Sequence, residues 1–170
     1  MKYRSRFTAA LLMAVAVGIP RMADAQSVSP IAGTWTLAAA ELLHADGTRT
    51  PDYGASPKGL LIVDASGRYS LQIFKSERPR FASGDKLTGT AAELQAATLG
   101  ASTHFGTMSL DTAARVLTVN IEGASFPNQE GTQQKRQYRL EGDELSYKVP
   151  ARPDGNTPTT VWRRVRDRTP

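Results

Sequence analysis

The sequence predicts an all-β fold, an eight-stranded antiparallel barrel with a short helical insertion between its third and fourth strands. Short strand-like runs alternate with turn-forming residues along the chain, which is typical of barrels and sandwiches. Within the runs, apolar and polar residues alternate, as in a sheet with one buried and one wet face. Eight such runs can be counted, and eight strands form a closed barrel just wide enough for side chains or one small ligand.

Residues 1–25 predict a signal peptide rather than part of the fold. A basic stretch at 2–6 precedes the apolar run 7–19, and Ala23-Asp24-Ala25 offers the small-x-small pattern that signal peptidase cuts. The apolar run is too short to cross the membrane as a helix. We therefore expect residues 26–170 to form one exported barrel domain, periplasmic or secreted, with no membrane anchor after cleavage.

The charge of the chain argues against a nucleic-acid partner. The formal net charge of +5 falls to +2 without residues 1–25, which hold four basic residues and one acidic residue. Much of the remaining excess comes from four arginines between positions 163 and 168. We interpret them as a solvated strand and tail, because a nucleic-acid face usually joins basic residues to stacking aromatics. We predict a monomer without a nucleic-acid partner.

The absence of cysteine excludes several kinds of site. The barrel gains no stability from disulfides, and a thiolate nucleophile, a cysteine metal site and a lipid anchor on an N-terminal cysteine are all excluded. His44 lies in a predicted turn and no His-x-His pair exists, so we predict no metal. Serine-hydrolase elbows and phosphate-binding glycine loops are absent too. We expect no cofactor.

The strands can be placed in order from their turns. The first candidate, 34–43, ends before Asp46-Gly47, a pair that favours a tight turn. Residues 51–57 hold two prolines and a glycine and predict a loop. Asp64-Ala65-Ser66-Gly67 predicts a hairpin turn between the second and third strands. The later candidates are 59–63, 68–74, 103–110, 116–123, 133–140, 144–149 and 159–165.

One segment, 77–102, interrupts this series of strands. Thr90-Ala91-Ala92-Glu93 has the sequence of a capping box, in which Thr90 and Glu93 satisfy each other's backbone donors. The helix that follows can continue to Leu99 and end at Gly100. Such an insertion can cover one mouth of the barrel, either as a lid over a ligand or as a plug that buries apolar side chains.

Alternation predicts which side chains face the interior. Three apolar rows share this pattern, each opposed by polar residues: Tyr69, Leu71 and Ile73; Leu117, Val119 and Ile121; and Leu145, Tyr147 and Val149.

The two ends of the predicted barrel resemble the lipocalins. Gly33-Thr34-Trp35 begins the first strand, and Val161-Trp162-Arg163-Arg164 lies in the last. The resemblance implies that Trp35 closes the barrel bottom and that a basic residue of the final strand packs across its ring. Arg163 or Arg164 would fill that role, since alternation turns one of them inward, and we take Arg163 as the candidate.

Further motifs occur along nearly the whole mature chain, in addition to Gly33-Thr34-Trp35. They are Asp46-Gly47, Tyr53-Gly54, Pro57-Lys58-Gly59, Asp64 to Ser70, Arg80 to Gly84, Thr103 to Gly106 and Ala124 to Asn128. With these motifs the chain resembles the bacterial family of lipocalin-like domains, most of them uncharacterised. That resemblance implies a barrel fold and small-molecule binding, with no agreed reaction. The cysteine pair of ordinary secreted lipocalins is missing.

His104 is the first candidate for chemistry. It shares a strand face with Gly106, Met108 and Leu110, and an imidazole there could act as a general base or bind a ligand by a hydrogen bond. The alternative is a structural histidine whose hydrogen-bonding groups are satisfied by a neighbouring strand. For catalysis it would need a carboxylate, and Glu122 and Glu41 are the candidates, although Glu122 can equally belong to a wet outer face.

The predicted binding set combines wall residues and polar anchors. Tyr69, Phe105 and Tyr138 are the wall candidates, and His104, Arg136 and Arg80 are the anchors. Phe81, next to Arg80, could offer an aromatic face at the mouth, although a solvated loop explains that stretch as well. A buried Arg136 would need a partner such as Glu122 or Glu41.

Three functions follow from these residues. The first is the binding of a small, partly hydrophobic molecule in the barrel cavity. The second is an isomerase, cyclase or hydratase that uses His104 with Glu122 or Glu41. The third is a structural or inhibitory module, which predicts an exposed apolar patch rather than a cavity.

Overall fold

The computed structural model describes residues 29–166, so the predicted signal peptide and residues 167–170 lie outside the described residues. Three short 3-10 turns accompany one helix and nine strands. The strands are β1 Gly33–Leu43, β2 Arg49–Pro51, β3 Lys58–Val63, β4 Arg68–Phe74, β5 Ala101–Asp111, β6 Val116–Ala124, β7 Gln133–Glu141, β8 Glu144–Lys148 and β9 Thr157–Arg164, and the helix is α1 Ala91–Leu99.

Eight of these strands form a closed antiparallel barrel, which confirms the predicted fold class. From β3 to β9 each strand pairs with the next, and β9 pairs back onto β1. The first half of β1 pairs with β3, while its last residues, 41–43, pair with β2. The short strand β2 is therefore an extension of one edge and not a ninth strand of the barrel wall; we call the eight wall strands staves.

The strand β2 was not among the eight predicted strands: Pro51 was placed in a loop, which is wrong, and residues 49 and 50 were assigned to no element. All three residues, Arg49, Thr50 and Pro51, are exposed. A three-residue strand with no buried face is too short and too exposed for an alternation to be detected. It forms because the end of β1 offers free backbone groups, a condition that only the folded barrel creates.

The predicted hairpin turn after β3 is present. The Asp64 carboxylate accepts hydrogen bonds from the backbone N–H groups of Ser66 at 2.8 Å and Arg68 at 3.0 Å. Gly67 has a φ of +88°, which favours glycine. The Ser66 hydroxyl also donates to Asp64 at 2.7 Å, and this bond first, followed by the backbone bonds, lowers the pKa of Asp64. The turn fixes the register between β3 and β4.

The barrel interior is packed by alternate side chains from every stave, as the apolar rows predicted. Fully buried side chains of this kind stabilise a fold by about 1.5–3 kcal/mol each relative to exposure. The largest completely buried ones are Trp35, Trp162, Ile31, Leu61, Leu110, Leu117, Leu145, Val63 and Val119.

One end of the barrel is closed by Trp35 and Arg164, and we call this end the floor. Trp35 is completely buried and its Nε1 donates to the Ile31 carbonyl at 2.9 Å. The Arg164 guanidinium lies 4.1 Å from the centre of the indole ring. It also donates to the carbonyls of Ala32 at 2.6 Å and Pro30 at 2.7 Å.

The choice of Arg163 as the closing residue was wrong. In the β1–β9 ladder, Trp35 lies opposite Arg164, and Arg163 lies opposite Thr36 with its side chain exposed. Alternation alone could not decide between the two arginines, because the decision depends on the register between two strands far apart in sequence.

Helix α1 lies at the other end, which we call the mouth, between β4 and β5, the third and fourth staves. The capping box between Thr90 and Glu93 is confirmed. No residue of α1 is buried, and Leu94 and Leu99 are 45% and 66% exposed. The helix is therefore not a plug that buries apolar side chains, and it carries its leucines on the surface.

Candidate functional site

A cavity of about 290 Å³ opens at the mouth of the barrel. Its inner part is formed by His104 of β5, Arg136 of β7 and Tyr147 of β8. Leu71, Ile73, Val149 and Pro158 add apolar surface. The cavity thus combines an apolar wall with a few polar groups, as small-molecule sites do.

His104 is held inside the barrel by Tyr69. The imidazole is only 6% exposed, its Nδ1 lies 2.7 Å from the Tyr69 hydroxyl, and the two rings meet edge to face at 5.4 Å. Burial, followed by the nearby Arg136 charge, lowers the pKa of His104 to about 3. Burial also raises the pKa of Tyr69. Both groups are therefore neutral near neutral pH.

The proton positions of this pair follow from its partners. We assign the Tyr69 hydroxyl as the donor to Nδ1 of His104, since it has no other acceptor among the described residues. The imidazole then carries its own proton on Nε2. This nitrogen has no hydrogen-bond partner within residues 29–166, and His104 lines the cavity.

Arg136 is a buried cation without a carboxylate partner. Its side chain is 3% exposed, and the Gln134 amide oxygen accepts from Nε at 3.3 Å and from Nη2 at 2.7 Å. The guanidinium lies 5.1 Å from the ring centre of Tyr147. Its Nη1 has no hydrogen-bond partner in the described part of the chain. The expected partners Glu122 and Glu41 do not reach it.

Tyr147 contributes its ring to the cavity and keeps its hydroxyl apart from it. The residue is 3% exposed, and the hydroxyl is closed off from solvent with no hydrogen-bond partner in the described structure. A buried hydroxyl without a partner is destabilising. Alternation predicted that Tyr147 faces inward, but its place beside Arg136 was not predicted.

The rim of the cavity holds an ion pair that the sequence did not reveal. Arg152, in the β8–β9 loop, donates to Asp52, just after β2, at 2.6 Å, and the Asp52 side chain is 12% exposed. Neighbouring Tyr53 also lines the cavity, and burial raises its pKa. The two rim charges are a hundred residues apart in sequence, so no local pattern links them.

The model of the lipocalin-like domain family matches residues 32–165. The chain belongs to the lipocalin-like domain family. No curated protein matches this lipocalin-like chain. Among solved structures, it is similar to a mutant of the fluorescent protein UnaG, with 16% identity and a TM-score of 0.36 over 81% of this chain and 98% of the other.

The two carboxylates expected beside His104 lie on the outside of the lipocalin-like barrel. Glu122 accepts from Arg68 at 2.6 Å, and Glu41 accepts from Arg49 at 3.0 Å. Their side chains are 45% and 39% exposed. The structure does not bring either one to His104. Glu122 is an exposed, outward-facing residue of β6, and Glu41 pairs with Arg49 of β2.

The other predicted binding residues separate into two groups. His104 and Arg136 line the cavity, and Tyr69 lies behind His104. The remaining four are not among the residues that line this cavity: Tyr138 is half-buried against the core, Arg80 is exposed, Phe81 contacts Gly89, and Phe105 is 49% exposed with its ring against Gly123.

The described residues offer no metal site. Across 29–166, no group of three or more histidine, aspartate or glutamate side chains is placed to hold a metal ion. No helix within the same range is long and apolar enough to cross a membrane.

Proposed function

We propose that this chain is an exported lipocalin-like protein that binds a small, partly hydrophobic molecule in its barrel cavity. The observation that carries this proposal is the contrast between the two barrel ends. The floor is sealed by Trp35 and Arg164, whereas the mouth leads to a cavity with an apolar wall and unused polar groups.

The cavity supports binding better than acid–base catalysis. A general acid–base pair needs two titrating groups within reach of one substrate. Among the described residues that line the cavity, the carboxylate is that of Asp52, and Arg152 already pairs with it. His104 has its pKa lowered to about 3, so it is poorly matched to proton transfer near neutral pH.

The binding proposal can be tested by filling the cavity. Phenylnaphthylamine, a neutral probe whose fluorescence rises in apolar surroundings, would be titrated into the wild type, Ile73→Trp and Ile62→Trp. Ile73 lines the cavity, while Ile62 is 43% exposed on the outside of β3. We expect Ile73→Trp to weaken binding and Ile62→Trp to leave it unchanged, with circular dichroism as the check on folding.

Two results would contradict this proposal. The first is a wild type that does not bind the probe. The second is equal binding by both tryptophan variants, which would place the probe outside the cavity. Native mass spectrometry of protein purified from its own host adds an independent test, since a retained ligand is expected to add a defined mass.

Export is the second part of the proposal, and residues 1–25 support it through their basic start, apolar run and small-x-small pattern. We expect the mature protein to begin after Ala25 and to be recovered from the periplasm or the medium. Mass spectrometry of the purified protein measures the mature N-terminus. A cytoplasmic protein that retains residues 1–25 would contradict export and leave the cavity proposal untouched.

A further inference from the structure

The charges that line the cavity do not balance. Two arginines, Arg136 and Arg152, face one aspartate, Asp52. Arg152 and Asp52 neutralise each other at the rim. Arg136 therefore remains as a buried cation whose nearest compensation is the neutral Gln134 amide. A buried charge with no counterion is costly, and buried charges in proteins are ordinarily paired with an opposite charge or a metal.

The unused hydrogen-bonding groups in the inner cavity are donors. Nη1 of Arg136 has no partner within the described residues, and neither does the protonated Nε2 of His104. The one acceptor close to the guanidinium, the Gln134 amide oxygen, is already used twice. Because His104 is neutral, it adds a donor without adding charge. This part of the wall therefore fits an acceptor that carries one negative charge.

The apolar lining indicates where the rest of such a ligand lies. Ile73 of β4 lies two residues nearer the mouth than Leu71, which pairs with His104, and Val149, just after β8, lies two residues nearer the mouth than Tyr147. A molecule whose charged end meets Arg136 would therefore place its apolar part along these residues, toward the opening.

We propose that the ligand is a small organic acid whose carboxylate accepts hydrogen bonds from Arg136 Nη1 and His104 Nε2. This inference rests on the proposed function and names the chemical class of its ligand. The planar guanidinium fork suits a carboxylate, and a single negative charge matches the single uncompensated cation. A doubly charged phosphate would leave the buried site with a net negative charge.

The test compares two isosteric probes that differ in charge. Naphthoic acid is ionised at neutral pH and naphthamide is neutral, and each would displace bound phenylnaphthylamine from the wild type, Arg136→Met and Arg139→Met. Arg139 lies on the same strand, faces outward and pairs with Glu141. We expect the wild type and Arg139→Met to prefer naphthoate by about tenfold or more, as for hydrogen bonds to a charged group.

The expected outcome for Arg136→Met is that naphthoate and naphthamide compete equally well, and because the two probes are compared within one variant, a change in that variant's own affinity for phenylnaphthylamine cancels. If the wild type binds phenylnaphthylamine but holds naphthoate and naphthamide equally, the acid inference fails and the proposed function stands. If the wild type binds no probe, both fail. A preference that survives in Arg136→Met would overturn the assigned site.

A second measurement on the wild type covers the case in which Arg136→Met does not fold. The side-chain nitrogen NMR signals of Arg136 are expected to shift with naphthoate and to stay in place with naphthamide. Bound naphthoate with an unmoved Arg136 signal would overturn the inference.

Discussion

The substitution Tyr147→Phe is expected to stabilise the ligand-free protein. The Tyr147 hydroxyl is buried and has no hydrogen-bond partner in the described structure. Burying such a group costs about 1–3 kcal/mol in desolvation, and no hydrogen bond offsets this cost. Phenylalanine keeps the ring that packs under the Arg136 guanidinium at 5.1 Å, so the main loss is the small volume of one oxygen atom.

We expect the free energy of unfolding to rise by about 1 kcal/mol in Tyr147→Phe. For a domain of this size that corresponds to a melting temperature about 3 °C higher. Urea denaturation followed by circular dichroism measures the free energy, and a thermal scan measures the melting temperature.

The matched control is Tyr69→Phe, the same chemical change at a ring that is equally buried. The Tyr69 hydroxyl bonds to His104 Nδ1 at 2.7 Å, so its removal leaves a buried acceptor unpaired. The free energy of unfolding should fall by about 1–3 kcal/mol. A loss of similar size in Tyr147→Phe would show that its hydroxyl does have a partner and would refute the reasoning.

Three further predictions concern the floor, the buried histidine and the buried arginine. Arg164→Met should lower the free energy of unfolding by about 2 kcal/mol, since it removes the contact with Trp35 and two hydrogen bonds. Arg163→Met should change it little. Equal effects of the two variants in urea denaturation would contradict the role of Arg164 in closing the floor. Burial and Arg136 hold the pKa of His104 at about 3, below its value of about 6.5 in the unfolded chain. Between these two pH values the unfolded state binds one more proton than the folded state. The free energy of unfolding should therefore fall by up to about 1.4 kcal/mol per pH unit as the pH drops from about 6.5 toward 3. His104→Gln should lack that part of the slope in denaturation at several pH values. Arg136→Met should raise the free energy of unfolding of the ligand-free protein, because we expect the desolvation cost of an unpaired buried cation, several kcal/mol by order of magnitude, to exceed the loss of the Gln134 hydrogen bonds and the Tyr147 contact. A destabilised variant would show that the cation is compensated.

The staves were predictable from the sequence because each one has a buried face. The rows that end in Ile73 on β4 and Ile121 on β6 alternate cleanly, and all their apolar members are buried. The sequence predicted that a basic residue of the last strand packs across Trp35. The choice of Arg164 required the register of the ladder between the first and last strands.

The candidate site was less predictable because the chemistry of each group depends on whether it has a charge or hydrogen-bond partner in the folded barrel. Arg136 could be assigned to an inward face from alternation, but its lack of a carboxylate partner appears only when Glu122 and Glu41 are found in ion pairs outside the barrel. The orphan hydroxyl of Tyr147 is of the same kind, since a sequence shows which groups are present and not which are satisfied.

The floor also determines where this chain can be attached to something else. Strand β1 begins there, at Gly33, and β9 ends there, at Arg164, so the described chain enters and leaves at the end opposite the cavity. A label, a fusion partner or a solid support joined through either end would leave the mouth accessible. The internal loops around the mouth, such as the one that holds Arg152, can change in length or sequence without moving either point of attachment.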